Sequence, residues 1–129
     1  MKTTTKISVR AYELDSYNHV NNANYLHYLE HARMDFMNQI GFDFNKCTEL
    51  GYSLYTTHID IQYKVSAFLN DELTITSEMT KLGAVSGTVH QEITKADGTL
   101  CTVADVTWAS VKNGRPSKLP EELLTCLKK

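Results

Sequence analysis

The chain is organised around residues 15–40, DSYNHVNNANYLHYLEHARMDFMNQI, in which a polar turn leads directly into a long amphipathic segment. Asn21 or Asn22 can cap the start of a helix there, and Gly41 can end it. Such a helix is long for a chain of 129 residues, so we expect it to form the centre of the fold. The apolar positions recur at steps of three and four residues and predict a helix from about Asn22 to Ile40: Leu26, Leu29, Ala32 or Arg33, Phe36, Met37 and Ile40.

Alternating apolar and polar residues predict five strands around this helix. The Asp97-Gly98 pair is a hairpin signal between the last two strands. The last strand is apolar on both faces in places, which indicates an interior position in the sheet. The order of elements predicts an α+β fold with a five-stranded antiparallel sheet wrapped around one long central helix. The predicted strands are Ile7–Tyr12, Tyr55–Val65, Leu73–Thr80, Val85–Lys95 and Leu100–Val111, with a loop or short helix at 42–51, a loop at 112–118 and a short final helix opened by Pro120.

Size and composition restrict the classes of function that are possible for this chain. The length suits one domain over residues 1–129. A net charge of −2 gives no basic excess for nucleic acid, and no apolar stretch is long enough for a membrane span. The N-terminus lacks the apolar core of a signal peptide, which indicates a cytoplasmic protein. Cys47, Cys101 and Cys126 form no CxxC pair and are expected to be idle thiols, with a catalytic Cys–His pair as an alternative.

The junction between the first strand and the helix carries the clearest chemical signal. The first N–H groups of a helix lack intrahelical partners, and the helix dipole places partial positive charge beside them. Asp15 precedes this helix start by a few residues. A carboxylate near unpaired amides suits a reaction in which a carbonyl oxygen becomes negative. The alternative is that Asp15 only caps a turn.

The motif also resembles a known family. The pattern Asp-x-x-x-His-Val-Asn-Asn-x-x-Tyr over residues 15–25, followed by Leu29-Glu30 and Ala32-Arg33, resembles the signature of hot-dog-fold acyl-CoA thioesterases. These are the 4-hydroxybenzoyl-CoA thioesterase-like and YbgC-like enzymes, with the plant acyl-ACP thioesterases as relatives. Residues 61–64 and 70–73 resemble the family's second strand and the turn after it. The resemblance extends over roughly residues 5–112 and implies a homodimer or homotetramer that cleaves a thioester without a cofactor.

The resemblance assigns three catalytic roles. Asp15 would act as general base for water or attack the thioester directly. The backbone N–H of Asn22 would stabilise the oxyanion, and His19 would orient the carbonyl, pair with Asp15 or hold the loop. The plant enzymes carry an Asn two residues after the Asp. Tyr17 occupies that position here, so their full constellation is not reproduced.

Further residues are candidates for substrate binding. Tyr25 is expected to pack on the helix beside the site, where it could touch the thioester end of the substrate, with a purely structural place in the core as the alternative. Thr57 and His58, with Thr56, lie on the strand that lines the pocket in the family, often from the partner subunit. Lys64 is one of several basic residues that could meet the phosphates of coenzyme A. The residues expected to set the depth of the acyl pocket are Phe36, Met37, Met79 and Trp108.

Other functions stay open at this point. The same site could accept an acyl-ACP, or the protein could bind acyl-CoA without hydrolysing it; a hot-dog dehydratase is a weaker alternative. Residues 27–31, His-Tyr-Leu-Glu-His, match the H-x-x-E-H zinc motif. Because that motif has only three fixed residues, chance matches are common, and no metal site is expected.

Overall fold

A computed structural model describes residues 1–128. Strand β1 is followed by a single 3₁₀ turn, two helices, four long strands, one very short strand and a final helix. The elements are β1 (Lys2–Ser8), the 3₁₀ turn (Ala11–Glu13), α1 (Asn22–Gln39), α2 (Phe44–Glu49), β2 (Tyr52–Tyr63), β3 (Glu72–Leu82), β4 (Ser86–Lys95), β5 (Leu100–Lys112), β6 (Arg115–Pro116) and α3 (Glu121–Leu127).

The strands form one antiparallel sheet in the order β1-β3-β4-β5-β2, with β6 added to β5. Strand β5 lies between β4 and β2, so its predicted interior position is confirmed. The sheet curls around α1, which confirms the α+β hot-dog fold. The two residues of β6 are an addition to the five predicted strands, and they fall in a segment predicted to be loop.

Helix α1 begins and ends almost where its sequence predicts. The Asn21 side chain accepts a hydrogen bond from the Ala23 N–H at 2.9 Å, which makes Asn21 the N-cap. Gly41 follows the last turn with a φ of 86°, a left-handed conformation that favours glycine. The helix packs mainly against β1 and β3, on one side of the curled sheet.

Two apolar clusters succeed each other along α1. The first surrounds its N-terminal half and consists of Val9, Val20, Tyr25, Tyr28, Leu29, Ala32, Ala67, Leu73, Ile75, Ile93, Cys101 and Ala104. The second surrounds its C-terminal half, takes in α3, and consists of Phe36, Met37, Ile40, Phe42, Cys47, Val89, Trp108, Leu119, Leu123, Leu124, Cys126 and Leu127. Met79 packs against the second cluster.

The prediction for the first strand was wrong in its position. The strand pairs with β3 from Lys2 to Ser8, and the chain then leaves the sheet. The alternation continues past Ser8 in the sequence, but Ala11–Glu13 forms a 3₁₀ turn because the Glu13 N–H donates to the Arg10 carbonyl. Alternation alone could not show where pairing ends.

The strand predicted from Tyr55 is β2, and it contains a β-bulge at Thr57. The extra residue changes which side chains face the helix. Before the bulge, Tyr52 and Leu54 pack on the second cluster, and after it Ile61 packs on the first. Tyr55, predicted to share a face with Ile61, is instead exposed.

None of the helices within residues 1–128 is long and apolar enough to cross a bilayer. Cys47, Cys101 and Cys126 are buried, and Cys47 and Cys101 are free thiols. Burial raises the pKa values of the Cys47 and Cys101 thiols, which makes them poor nucleophiles.

Candidate active site

The turn between the 3₁₀ turn and α1 holds Asp15 by both its backbone and its side chain. The Asp15 N–H donates to the His19 carbonyl at 2.7 Å, and Asp15 Oδ1 accepts from the N–H groups of Tyr17 (2.8 Å) and His19 (3.1 Å). Asn18 completes the turn with a φ of 64°. Asp15 Oδ2 has no hydrogen-bond partner within residues 1–128. The residue therefore caps its turn with one oxygen and keeps the other available.

The first residue of α1 supplies an unpaired amide. Asn21 takes the N–H groups of Ala23 and Asn24 through its side chain and its carbonyl, respectively. The N–H of Asn22 has no acceptor in the part of the chain that the structure describes, as expected for the first helical position. An oxygen that gains negative charge could accept from it.

Asp15 and Asn22 line one cavity of about 120 Å³. Its mouth carries one cation, Lys64, which forms no salt bridge among residues 1–128. The structure thus brings together four of the six predicted site residues, Asp15, His19, Asn22 and Tyr25. The other residues that line the cavity are Val20, Tyr63, Lys64, Val65 and Ser66.

The remaining two predicted site residues lie elsewhere. Thr57 and His58 are exposed on edge strand β2 and do not line this cavity. The Thr57 hydroxyl donates to the Thr107 carbonyl at 3.3 Å, which ties the bulge to β5. Any contact of these two side chains with substrate would have to be made in the site of a neighbouring copy.

His19 lines the cavity and is held in place by Phe68. Its backbone forms a bridge with Phe68, and the two rings meet edge to face at 5.1 Å between centroids. Its link to Asp15 runs through the backbone, not through the imidazole. The imidazole therefore lines the cavity without a side-chain bond to Asp15.

Two tyrosines join the cavity to the sheet. The buried Tyr25 hydroxyl accepts from the Ala67 N–H at 3.0 Å, and burial raises the Tyr25 pKa. Tyr63 on β2 contacts the Tyr25 ring at 5.4 Å between centroids, and its hydroxyl donates to the Asn22 carbonyl at 3.4 Å. Tyr63 was not predicted as a site residue, although it lies in the second matched segment.

No functional role was predicted for Glu13, a buried carboxylate only 5% exposed. Glu13 Oε1 accepts from the Arg10 N–H (2.8 Å) and the Tyr28 hydroxyl (2.9 Å), and Oε2 accepts from the Arg10 guanidinium at 2.8 Å. Its backbone carbonyl accepts from Asn21 N–H (2.8 Å) and Asn24 Nδ2 (3.0 Å). Glu13 therefore fastens the Asp15 turn to the start of α1. The one feature of the sequence that could have indicated this role is the i, i+3 spacing of Arg10 and Glu13.

The ionised form of Glu13 is stabilised where it lies. Burial alone would raise its pKa, but the hydrogen bonds from Arg10 and Tyr28 outweigh burial and lower the pKa below its ordinary value. Burial, together with the hydrogen bond to Glu13, raises the pKa of Tyr28. The carboxylate and the phenol therefore keep their charged and neutral forms, respectively, across the usual working range of pH.

A second cavity, of about 130 Å³, lies beside the C-terminal half of α1. Three of the four residues expected to set acyl depth, Phe36, Met37 and Trp108, line it; Met79 does not. Burial lowers the pKa of Arg33 at its rim. The other residues lining it are Glu30, Arg33, Met34, Phe44, Leu54, Thr56 and Val89.

The H-x-x-E-H segment lies on α1. His27, Glu30 and His31 are exposed, and His27 Nδ1 contacts Asn24 Oδ1 at 3.1 Å. Within residues 1–128, no group of three or more His, Cys, Asp or Glu side chains is placed to hold a metal ion.

The sequence profile of the thioesterase-like superfamily matches residues 9–127. The chain belongs to this superfamily. It is 39% identical over 108 residues to the long-chain acyl-CoA thioesterase FadM of Escherichia coli K12, an alignment that covers 83% of this chain and 81% of FadM. The family predicted from residues 15–25 is confirmed.

Solved structures share the fold of this chain. The probable thioesterase YbaW of Escherichia coli superposes with a TM-score of 0.83 at 35% identity, covering 98% of both chains. A Staphylococcus aureus protein solved with CoA superposes with a TM-score of 0.93 at 23% identity, over 99% of this chain and 82% of that one. Because the chain belongs to this superfamily and its relatives are named thioesterases, it is a thioester hydrolase.

Proposed function

We propose that the protein hydrolyses acyl-CoA thioesters to a free carboxylic acid and CoA, with Asp15 as the essential carboxylate. The observation that carries the proposal is the cavity that Asp15, with one oxygen free of hydrogen bonds, and Asn22, with an unpaired N–H, both line. The identity to FadM, which is named a long-chain acyl-CoA thioesterase, supports CoA as the carrier.

The reaction needs two groups that this cavity supplies. Asp15 Oδ2 takes a proton from water, and the water oxygen attacks the thioester carbon. The carbonyl oxygen becomes negative and accepts a hydrogen bond from Asn22 N–H, a contact worth about 10²–10³ in rate. The carbonyl re-forms as the C–S bond breaks, and the leaving thiolate of CoA takes the proton from Asp15, which returns to its ionised form. Direct attack by Oδ2, with an acyl anhydride that water then cleaves, uses the same placement.

His19 and Lys64 have supporting roles in this proposal. The His19 imidazole, fixed by Phe68, orients the thioester from the cavity wall. Lys64 at the mouth meets a phosphate of CoA, because it is the basic side chain that lines the cavity. Tyr25 supports the thioester end of the substrate from α1.

The test is Asp15→Asn, assayed by release of free thiol from acyl-CoA. We expect kcat to fall by about 10²–10⁴-fold, with an unchanged melting temperature because Asn can still accept the turn's hydrogen bonds. Asp43→Asn is the matched control, since Asp43 caps α2 in the same way and lies outside the cavity. Full activity of Asp15→Asn would refute the role of Asp15. Acyl-CoA binding by the wild type without any thiol release would favour a binding protein, and activity on acyl-ACP alone would change the carrier.

A homodimer or homotetramer is part of the proposal. Edge strand β2 pairs with β5 on one side only, and it exposes Tyr55 (57%) and Ile59 (36%). An edge strand of this length presents a row of unpaired N–H and C=O groups with which another chain can pair. Pairing of two β2 edges would also bring Thr57 and His58 toward a second copy. Light scattering on the eluted protein tests this, and a monomer at micromolar concentration would contradict it.

We also infer a cytoplasmic location. Cys47 and Cys101 are buried free thiols, which is typical of proteins in a reducing compartment. Fractionation of cells that express the protein tests this inference.

A further inference from the structure

The cavity with Asp15 offers one backbone donor to a thioester carbonyl, the N–H of Asn22. A carbonyl oxygen has two lone pairs, so a second donor could meet the negative charge that develops on it. Of the lining side chains that can carry a donor hydrogen, Tyr25 is the buried one, only 3% exposed. The others are His19, Tyr63, Lys64 and Ser66.

The hydroxyl of Tyr25 has a hydrogen to spare. Its oxygen accepts from the Ala67 N–H at 3.0 Å. A phenol can accept and donate at the same time, and no acceptor for the Tyr25 O–H lies within residues 1–128. The hydroxyl of Tyr63, by contrast, already donates to the Asn22 carbonyl at 3.4 Å.

The Tyr25 side chain lies toward the first turn of α1. Tyr25 follows Asn22 by three positions on the helix, and long helical side chains point back over the preceding turn. Tyr63 confirms this placement, because it contacts the Tyr25 ring and also reaches the Asn22 carbonyl. The free O–H and the unpaired N–H of Asn22 therefore belong to the same end of the helix.

The Tyr25 hydroxyl is held rigidly. Tyr28 and Tyr63 meet its ring edge to face, at 6.1 and 5.4 Å between centroids. Ala67, which donates to the hydroxyl, accepts from the Val20 N–H at 3.0 Å through its own carbonyl. A donor that is fixed before the substrate arrives needs no reorganisation during the reaction.

The phenol also keeps its proton. Burial is the main cause of a raised Tyr25 pKa, and the negative charge of Asp15 adds to it, against the hydrogen bond from Ala67. A thiol is a stronger acid than such a phenol, so Tyr25 would not protonate the leaving thiolate of CoA. Its chemistry is that of a neutral hydrogen-bond donor.

We propose that the Tyr25 hydroxyl is the second donor to the thioester carbonyl oxygen, beside the backbone N–H of Asn22. This inference rests on the proposed hydrolysis and adds a catalytic residue to it. The O–H bond stays intact throughout: it donates more strongly while the oxygen is negative and relaxes when the carbonyl re-forms.

The first test is Tyr25→Phe, assayed by thiol release from tetradecanoyl-CoA. We expect kcat to fall by about 10²-fold or more. KM should change little, because the bond strengthens mainly in the transition state. Tyr12→Phe is the matched control, since Tyr12 is 76% exposed and lines neither cavity. Its kcat should equal that of the wild type.

The pH profile distinguishes this role from a hydrogen bond to Asp15. If the Tyr25 O–H donated to the free oxygen of Asp15, its loss would make that carboxylate easier to protonate. The acid limb of the kcat/KM profile would then move to higher pH in Tyr25→Phe. We expect the limb to stay where it is in the wild type.

Infrared spectroscopy of a bound analogue tests the contact itself. Tyr25→Phe leaves the Ala67 N–H unpaired and could lower stability, so a rate alone is not decisive. In the carba analogue of tetradecanoyl-CoA, a methylene replaces the sulfur and gives a ketone that cannot be hydrolysed. A hydrogen bond lowers the stretching frequency of this carbonyl. The frequency should be higher in Tyr25→Phe than in the wild type or Tyr12→Phe.

The outcomes separate this inference from the proposed function. If the wild type releases no thiol from acyl-CoA, the proposed hydrolysis fails, and the infrared comparison still decides whether Tyr25 contacts the carbonyl. If hydrolysis proceeds but Tyr25→Phe keeps the wild-type kcat or the wild-type carbonyl frequency, the donor role is wrong. A shifted acid limb with an unchanged frequency would assign the Tyr25 O–H to Asp15 and likewise overturn the inference.

Discussion

The two ends of α1 are held by different forces. Around its N-terminus, Glu13, Asn21 and Tyr28 make directional hydrogen bonds that involve buried and charged groups. Around its C-terminus, Phe36 and Trp108 belong to an apolar cluster closed by α3. Hydrogen bonds fix angles, whereas apolar packing fixes mainly volume. The contrast suits a hydrolase whose reacting carbonyl needs a defined direction and whose substrate tail needs only space.

The C-terminal end should carry more of the stability. Phe36 is about 1% exposed in the second cluster, so Phe36→Ala should lower the free energy of unfolding by about 3–5 kcal/mol. Urea denaturation measures the change. Phe36→Leu should lose clearly less, because it leaves a smaller cavity. At temperatures where Phe36→Ala is folded, activity on octanoyl-CoA should persist. Loss of all activity in the folded variant would show that the two ends are not separable.

The N-terminal end should carry more of the activity. Glu13→Gln removes the charge that Arg10 and Tyr28 contact and should lower kcat by about 10- to 100-fold through a displaced Asp15 turn. The free energy of unfolding should fall by about 1–3 kcal/mol. Glu49→Gln, an exposed change outside the network, is the control. An unchanged kcat for Glu13→Gln would mean that the turn keeps its position without this carboxylate.

The same variant has a defined pH dependence. The folded-state pKa of Glu13 is lowered, so its ionisation adds stability above the ordinary carboxyl pKa, and this contribution is lost as the pH falls through the lowered value. Melting temperatures of wild type and Glu13→Gln should therefore differ at neutral pH and converge in acid. A constant difference across this range would contradict the assignment of an ionised Glu13.

A smaller effect should come from the glycine behind Trp108. A Cβ on Gly87 would lie 2.6 Å from Trp108 Cζ2, so the indole must shift to admit it. Gly87→Ala should lower the free energy of unfolding by about 1–3 kcal/mol. Because Trp108 lines the second cavity and is expected from the sequence to set the depth of the acyl pocket, the change should also reduce kcat/KM more for tetradecanoyl-CoA than for octanoyl-CoA. Gly98→Ala is a control in open space, although its φ of 89° adds backbone strain.

The smallest effect concerns the outer face of the sheet, remote from both ends of α1. His90 contacts Glu92 at 2.7 Å and Asp105 at 2.9 Å. The hydrogen bond to Glu92 is the main cause of a raised His90 pKa; the bond to Asp105 adds to it, and partial burial opposes it. The charged residues in the same cross-strand row are Lys2, Glu78, Asp105 and Asp60.

Protonated His90 therefore adds stability below the ordinary imidazole pKa, and this contribution is lost as the pH rises through the raised value. His90→Gln should cost about 1 kcal/mol or less, since both carboxylates are well exposed. Melting temperatures of wild type and variant should differ in mild acid and converge at alkaline pH. A difference in melting temperature that grows as the pH rises would contradict the stabilising role of protonated His90.

Local signals in the sequence were sufficient for α1 and for its cap. The three- and four-residue spacing, Asn21 and Gly41 act within one element, so their effect does not depend on the rest of the fold. Residues 15–25 likewise place Asp15, His19, Asn22 and Tyr25 together because they are close along the chain. The motif therefore predicted most of the cavity.

Features that depend on distant pairing were not predictable in the same way. The bulge at Thr57 arises where β2 pairs with β5, whose residues lie some fifty positions further along the chain. It places the Tyr55 side chain on the opposite face of the sheet from Ile61. Glu13 follows a strand-like run and gives no sign of burial until Tyr28 is packed over it. Tyr63 reaches Asn22 only through the curl of the sheet. In each case the deciding contact joins residues far apart in sequence.

The unequal surroundings of the two Asp15 oxygens have a consequence for isotope chemistry. Oδ1 is anchored by two amides, so the carboxylate resists rotation and its oxygens do not readily exchange places. If Oδ2 forms an anhydride, a single turnover in water enriched in oxygen-18 can leave one heavy atom in Asp15, and mass spectrometry of the active-site peptide would detect it. If the carboxylate only takes a proton, the heavy atom ends entirely in the released acid. The tethered turn thus makes this protein suited to distinguishing the two routes.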